Sequence, residues 1–399
     1  MGIKQFQVEL DNPSHTYYAG QTMNGVVTLV LDTPKKLRGV SLQFKGAAEV
    51  NWNERRGIKK DHHKTHFRGR QNYMNYTTYI VGSSDGENFA LPAGTHLYNF
   101  SCILPSNLAT SMEAKRGHIR YTLKVIVDRA WMLNKSYKMG FTVLQPLNLN
   151  FLSNVRFPIE MHITKAFCCW PCTTGPLHIS AQLPISGYVP GQTIAVTIVV
   201  DNQSRRKLIK IISRFVQHIA YISCSPHRKI KEESLEMAQA DSAANNKPGE
   251  SRYEHHLFIP PLPPTNSTCE VLQVTYTVEV KATTNCGKNP VVKLPIILGT
   301  IPLSSCAVPR LNETTPPVGQ QPKATTSSEL SEFTTNHSEE LPPPTYEEAM
   351  NATHINIQDD GESNEMGCKD FSPRYLIYRF PQGASVPPVD DMTRQWKSA

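Results

Sequence analysis

A six-residue pattern occurs twice in this chain. Tyr17-x-x-Gly20-Gln21-Thr22 returns as Tyr188-x-x-Gly191-Gln192-Thr193, displaced by 171 residues. The same displacement carries Leu37 onto Leu208, Val40 onto Ile211 and Phe44 onto Phe215. Further on, Tyr121-Thr-Leu-Lys-Val125 meets Tyr276-Thr-Val-Glu-Val280 at a displacement of 155, so the second copy is shorter by sixteen residues in its middle. Apolar positions that stay in register around a repeated motif mark an internal duplication. Whatever the first half folds into, the second half must fold into as well.

The period of the apolar residues says what that is. Phe6, Val8 and Leu10 alternate with Gln5, Gln7 and Glu9, the two-residue repeat of a half-buried strand. Asp11-Asn12-Pro13 ends that strand, and a turn at Ala19-Gly20 leads into Val26–Leu31. Leu37–Phe44, Leu97–Leu104 and the alternating Tyr121, Leu123, Val125 and Val127 follow, while helical periodicity is nearly absent before residue 225. Short strands at regular spacing, broken by Gly and Pro turns, predict β-sandwiches. The fold class is therefore all-β, with two tandem immunoglobulin-type sandwiches over residues 1–146 and 177–303. The last strand of the first copy is Phe141–Leu144, the closing strand of the second is Val291–Leu298, and 147–176 is the linker with a cysteine-rich segment.

From residue 304 the composition turns to Pro, Ser, Thr, Asn and acidic residues, which cannot bury enough apolar surface to fold alone. Residues 304–399 thus read as a disordered acidic tail, with Tyr375–Phe380 as an aromatic, strand-like island that could add to a sheet edge of the body. Residues 1–303 hold 34 Lys/Arg against 20 Asp/Glu, and the tail holds 7 against 14. A body near +14 and a tail near −7 favour peripheral contact with an anionic membrane surface and attraction between tail and body. Nothing reads as a nucleic-acid partner. No apolar run reaches the length of a membrane span, the N-terminus lacks the apolar core of a signal peptide, and Phe6 stands where a myristoylation motif wants Ser or Thr. Nine Cys, an odd number, suit reduced thiols in the cytoplasm better than a disulfide framework.

The tail carries one sharp motif, Pro343-Pro344-Thr345-Tyr346, a P-P-x-Y. Prolines pre-set a polyproline II ribbon that fits an aromatic-lined groove. The Tyr returns to the same face of that ribbon and fills a second pocket. This is the peptide bound by WW domains. Ser372-Pro-Arg-Tyr375 and Pro387-Pro-Val-Asp390 are degraded versions that each lack one pocket-filling group. Ile259-Pro-Pro-Leu-Pro-Pro264 also fits a WW pattern, but lies between strands of the second copy and reads as a structural connection.

Twin sandwiches followed by P-P-x-Y resemble the α-arrestins, or arrestin domain-containing proteins. The resemblance is carried by Tyr17-Tyr-Ala-Gly-Gln-Thr22, by Cys168-Cys-Trp-Pro-Cys-Thr-Thr-Gly-Pro176 and by Leu294–Leu303. It implies a cargo adaptor, peripheral at the plasma membrane and endosomes. Such an adaptor brings WW-domain HECT-type ubiquitin ligases to membrane receptors or transporters and promotes their ubiquitination, endocytosis and endosomal sorting. A ubiquitin-independent arrestin-fold transport scaffold is the alternative. Family members that carry two P-P-x-Y motifs differ from this chain, which has one intact copy.

The remaining clusters read more plainly. Cys168, Cys169 and Cys172 form a buried interdomain plug or, alternatively, sites of reversible palmitoylation beside Phe167 and Trp170. The C-x-x-C there lacks the strand–helix setting of a redox site and the second ligand pair of a zinc site. Arg55–Arg70, with seven Arg/Lys and His62, His63 and His66, reads as a solvated hairpin loop. No catalytic constellation, metal-ligand set or cofactor motif is expected, so the chain is read as a non-enzyme.

Overall fold

Alternation along the chain becomes two faces in space. In Gly117–Arg129, Tyr121, Leu123, Val125 and Val127 are fully buried; of the residues between them Thr122 and Ile126 are only half-buried, while Lys124 is buried as well. Each buried aliphatic or aromatic side chain of this kind contributes about 1.5–3 kcal/mol, so the register of such a strand is fixed by its core face. The computed structural model describes residues 3–56, 63–129, 132–169, 172–173, 175–204, 206–246, 249–285, 289–304, 345–348, 355–357, 365–367 and 370–380.

The first sandwich contains β1 (Ile3–Leu10), β2 (Thr16–Tyr18), β3 (Thr22–Leu31), β4 (Lys35–Arg56), β5 (His63–Gly82), β6 (Phe89–Leu91), β7 (Gly94–Ile103), β8 (Met112–Ala114), β9 (Gly117–Arg129) and β10 (Lys135–Leu144). One sheet runs β1-β3-β7, and the facing sheet runs β2-β10-β9-β4-β5. The second sandwich contains β11 (Ile159–Lys165), β14 (Leu177–Leu183), β15 (Gly187–Tyr188), β16 (Thr193–Asn202), β17 (Leu208–Ser223), β18 (Lys229–Ala243), β19 (Glu250–Phe258), β20 (Leu272–Thr284) and β21 (Val291–Leu298), with the short ladder β12 (Cys168–Cys169) and β13 (Cys172–Thr173) between β11 and β14. Its sheets run β11-β14-β16-β19 and β15-β21-β20-β17-β18. The all-β, two-sandwich expectation is borne out.

The duplication is visible strand by strand. Tyr17 on β2 lies parallel to Val143 at the end of β10, and Tyr188 on β15 lies parallel to Leu298 at the end of β21. A turn follows each, through Gly20 at φ +86° and Gly191 at φ +95°, a region that glycine enters without the steric penalty of a Cβ. Tyr121 donates its buried hydroxyl to the Ala109 carbonyl at 2.7 Å, and its counterpart Tyr276 donates to the Pro263 carbonyl at 2.6 Å. The repeated tyrosines thus pin the connection that precedes their own strand in each sandwich. Pro260–Pro264 is buried and supplies that acceptor, as expected of a structural connection.

Two segments differ from the sequence expectation. Residues 159–165, counted there with the linker, form the edge strand β11 of the second sandwich, paired antiparallel with β14. Its exposed Glu160, Met161 and His162 hide the strand signal, because an edge strand is held by one ladder and has little core face. The basic stretch 55–70 is largely strand rather than loop, since β4 runs to Arg56 and β5 starts at His63. Residues 57–62, His62 among them, lie outside the described residues. Phe67 explains the extension. It stacks on Trp52 at 5.2 Å across the hairpin, and meets the ring of His227, from the other sandwich, edge-on at 5.3 Å.

That contact belongs to one side of the domain junction. The Arg68 backbone donates to Ser225 O at 2.9 Å and accepts from Cys224 N at 2.8 Å. Arg116 pairs with Glu233 at 2.8 Å, and Glu54 pairs with Lys229 and, at 3.8 Å, with Lys231. On the other side, Thr300 N donates to Leu147 O at 2.9 Å and Thr300 Oγ1 accepts from Leu147 N at 2.7 Å. A second, smaller apolar cluster forms here from Leu144, Leu149, Val155 and Val189. Among the described residues, no helix is long and apolar enough to cross a membrane.

Candidate docking motif and its seat

This smaller cluster is completed by the tail. Thr345–Glu348 forms β22, Ile355–Asn356 β23, Glu365–Gly367 β24, Asp370–Phe371 β25 and Arg374–Ile377 β26. The strand-like island expected at Tyr375–Phe380 is strand through Ile377, but it pairs with β22 and not with a strand of the body; β22 to β25 are further short strands in the tail. Tyr346, Phe371 and Tyr375 on β22, β25 and β26 supply buried surface that the surrounding polar sequence lacks.

β26 is the anchor. Tyr375, Leu376 and Tyr378 are buried in the junction cluster. Tyr375 donates its hydroxyl to Ser111 O of the first sandwich at 3.0 Å, and Tyr378 donates its own to Thr300 O of the second at 2.7 Å. The Tyr378 amide donates to Pro190 O at 3.0 Å. The tail therefore bonds to both sandwiches within four residues. Its backbone passes so close to Gly191 that a Cβ at that position would collide with the Tyr378 carbonyl. Upstream, Phe371 lies flat on β10 at Gly140, where an added Cβ would come within 2.6 Å of the ring. β24 runs parallel to β10 at Ser136–Lys138, on the strand that β2 also borders at Thr142–Leu144. Covering an otherwise open strand edge removes a site for unwanted pairing.

The motif tyrosine sits on this anchor. β22 pairs antiparallel with β26, placing Tyr346 opposite Leu376 and Glu348 opposite Arg374. Tyr346 is half-buried, packed against the junction cluster together with Tyr18 and Phe380, while Thr345, Glu347 and Glu348 are exposed. Tyr346 and Tyr18 both pack on this cluster, so their phenols are neighbours. Burial raises the Tyr346 phenol above its ordinary value, and burial followed by the neighbouring phenols of Tyr346 and Tyr378 raises that of Tyr18. The Glu348–Arg374 pair, at 3.7 Å and well exposed, adds little in solvent.

Pro343 and Pro344 lie outside the described residues, as does 387–390. The degraded motif ending at Tyr375 is used internally, since that ring is fully occupied by the body. Cys168 and Cys169 pair by backbone with Thr173 and Cys172; the side chains of all three cysteines lie outside the described residues. Sequence reasoning missed Tyr18, Ser111, Gly140 and Thr300 as tail-binding residues. The one available signal was the aromatic spacing of Tyr375, Tyr378 and Phe380, which marks a strand but does not name its partner.

Two sandwiches sharing one tail-filled junction define an arrestin-type scaffold. Residues 6–150 match the family described as arrestin (or S-antigen), N-terminal domain, and residues 173–303 match its C-terminal domain. Arrestin domain-containing protein 17 of Caenorhabditis elegans is 32% identical over 314 residues, covering 75% of this chain and 71% of its own. Arrestin domain-containing protein 4 of Mus musculus is 25% identical over 302 residues, 74% of this chain and 71% of its own. Human arrestin domain-containing protein 1 is 23% identical over 309 residues, 77% and 66% respectively. The chain belongs to the arrestin domain-containing family, the α-arrestin-like adaptors.

Proposed function

We propose that this protein is a non-enzymatic adaptor that presents Pro343, Pro344 and Tyr346 to the WW domains of HECT-type ubiquitin ligases. Its paired sandwiches engage membrane receptors or transporters, so that the ligase modifies them and they are internalised and sorted through endosomes. The observation that carries this reading is an intact P-P-x-Y on a chain whose body is a pair of arrestin domains. The acids Glu347 and Glu348 just after the tyrosine are exposed and can meet basic residues beside a WW groove. The basic body suits a place at an anionic membrane surface.

One observation favours a second reading. Tyr346 is engaged by the protein's own junction, which suits a transport scaffold that acts without ubiquitin. Deleting residues 341–350 separates the two. The ligase-dependent reading expects cargo ubiquitination and downregulation to fall to background, and Pro343→Ala with Pro344→Ala to do the same. Downregulation that survives the deletion unchanged refutes it.

A further inference from the structure

We propose that the body masks its own docking motif. The β22–β26 ladder and the packing of Tyr346 on the junction cluster hold the motif tyrosine in a closed state that a WW domain must open before it can bind. The proposal rests on the WW-docking reading above and concerns the regulation of that same site.

Two uses of one ring exclude each other. A WW groove takes the proline ribbon as polyproline II and seats the tyrosine in a pocket of the partner. Here Tyr346 is already packed on the junction cluster, as Tyr18 is, and its backbone lies in an antiparallel ladder opposite Leu376. The ring cannot lie on the junction cluster and in a partner's pocket at once, and an antiparallel ladder is not the polyproline II ribbon that the groove takes. Binding must therefore draw from the fraction of molecules in which β22 has come away.

That fraction is set by a small contact. β22 has four residues, and only Tyr346 among them is even half-buried. β26 beside it buries Tyr375 and Leu376 to 2% exposure each. The two strands are unequal, so β22 lifts off while β26 stays on the body. Elements with few buried contacts open locally without global unfolding. A minor open state commonly holds about 0.1–10% of molecules; so small a contact belongs at the upper end, about 1–10%, and apparent affinity falls by that fraction. The full chain should therefore bind a WW domain about ten- to a hundredfold more weakly than the isolated motif.

Tyr18 offers a test from outside the motif. It is a partly exposed residue of β2, so Tyr18→Ala loosens the seat of Tyr346 without altering the sequence that a WW domain reads. Affinities for a purified WW domain would be measured by calorimetry for a synthetic peptide of residues 338–353, the full chain, and the Tyr18→Ala full chain. The expected order is peptide tightest, full chain ten- to a hundredfold weaker, and the variant restored most of the way to the peptide. Tyr18→Phe, which keeps the ring and removes only its hydroxyl, should fall in between and serves where the alanine variant does not fold. Equal affinities of peptide and full chain overturn the masking. So does a folded Tyr18→Ala chain that binds no better than the parent. A peptide that fails to bind refutes the docking reading itself, and the masking with it.

Discussion

Tyr375 is the residue on which the tail's attachment depends, and Tyr375→Ala measures that attachment. The ring is fully buried in a cluster drawn from both sandwiches, and its hydroxyl bonds to Ser111 O at 3.0 Å. Truncating a buried aromatic to alanine costs about 3–5 kcal/mol. Leaving a buried carbonyl without its donor adds about 1 kcal/mol. If the tail opens as its own unit, the whole of this cost appears in the local opening equilibrium. At about 1.4 kcal/mol per tenfold, the protection of the amides between Phe371 and Phe380 against hydrogen exchange should fall a hundredfold or more. Amides of β9 and β20 should keep their protection, because they belong to the sandwich cores. Tyr375→Phe retains the ring and should lose only about five- to tenfold, the share of the hydroxyl. Native-state exchange read by mass spectrometry on peptides covering 371–380, 117–129 and 272–284 decides the matter. An equal loss in all three peptides would show that the tail unfolds only with the body. No loss in the first would show that the ring is not seated in solution.

The paired tyrosines give a second expectation. Tyr276 donates to Pro263 O and accepts from Gln217 Nε2 at 2.9 Å, whereas among the described residues the Tyr121 hydroxyl bonds only to Ala109 O. Tyr276→Phe should thus cost about 2 kcal/mol and Tyr121→Phe about 1 kcal/mol in chemical denaturation, and the reverse order contradicts the assignment. Gly191→Ala should weaken tail protection as Tyr375→Ala does, while Gly20→Ala should cost about 1–2 kcal/mol of backbone strain and leave the tail in place; exchange at 374–378 separates them. His118 supplies a pH dependence. Burial, followed by the Arg120 and Arg70 charges, lowers its pKa to about 4 from 6.5. The unfolded chain then binds the extra proton between those values, so this contribution is complete above pH 6.5 and is lost as pH falls toward about 4. His118→Gln should flatten that part of the stability–pH curve, and an unchanged slope counts against it.

Much of the body was legible because burial repeats with period two and the chain says the same thing twice. Phe6, Val8, Val27, Leu29 and Leu31 are buried where alternation puts them, and the matched Tyr17 and Tyr188 occupy equivalent strands. β11 was not legible, since Ile159, Met161 and Ile163 line an edge and none is fully buried. The motif tyrosine was legible as a pocket-filling ring but not as a ring already in a pocket. An aromatic side chain on a polar tail reads the same whether its receptor is another protein or Tyr18 of its own. Distance along the chain hides that choice, because periodicity describes a strand and not the edge it joins. The basic run at 55–70 misled in a similar way: charge suggests a loop, while the Trp52–Phe67 stack extends the hairpin to the neighbouring sandwich.

The two turn glycines began as copies of one ancestral position and no longer carry the same burden. At Gly20 an added Cβ meets Ser106 at an ordinary 3.6 Å, so only its left-handed backbone resists change, and asparagine, which tolerates that region, is an admissible successor. At Gly191 the Tyr378 carbonyl occupies the space that any Cβ would need, and no other residue can follow. By lodging against Gly191 and not against Gly20, the tail has placed two matched positions of the duplication under different constraints.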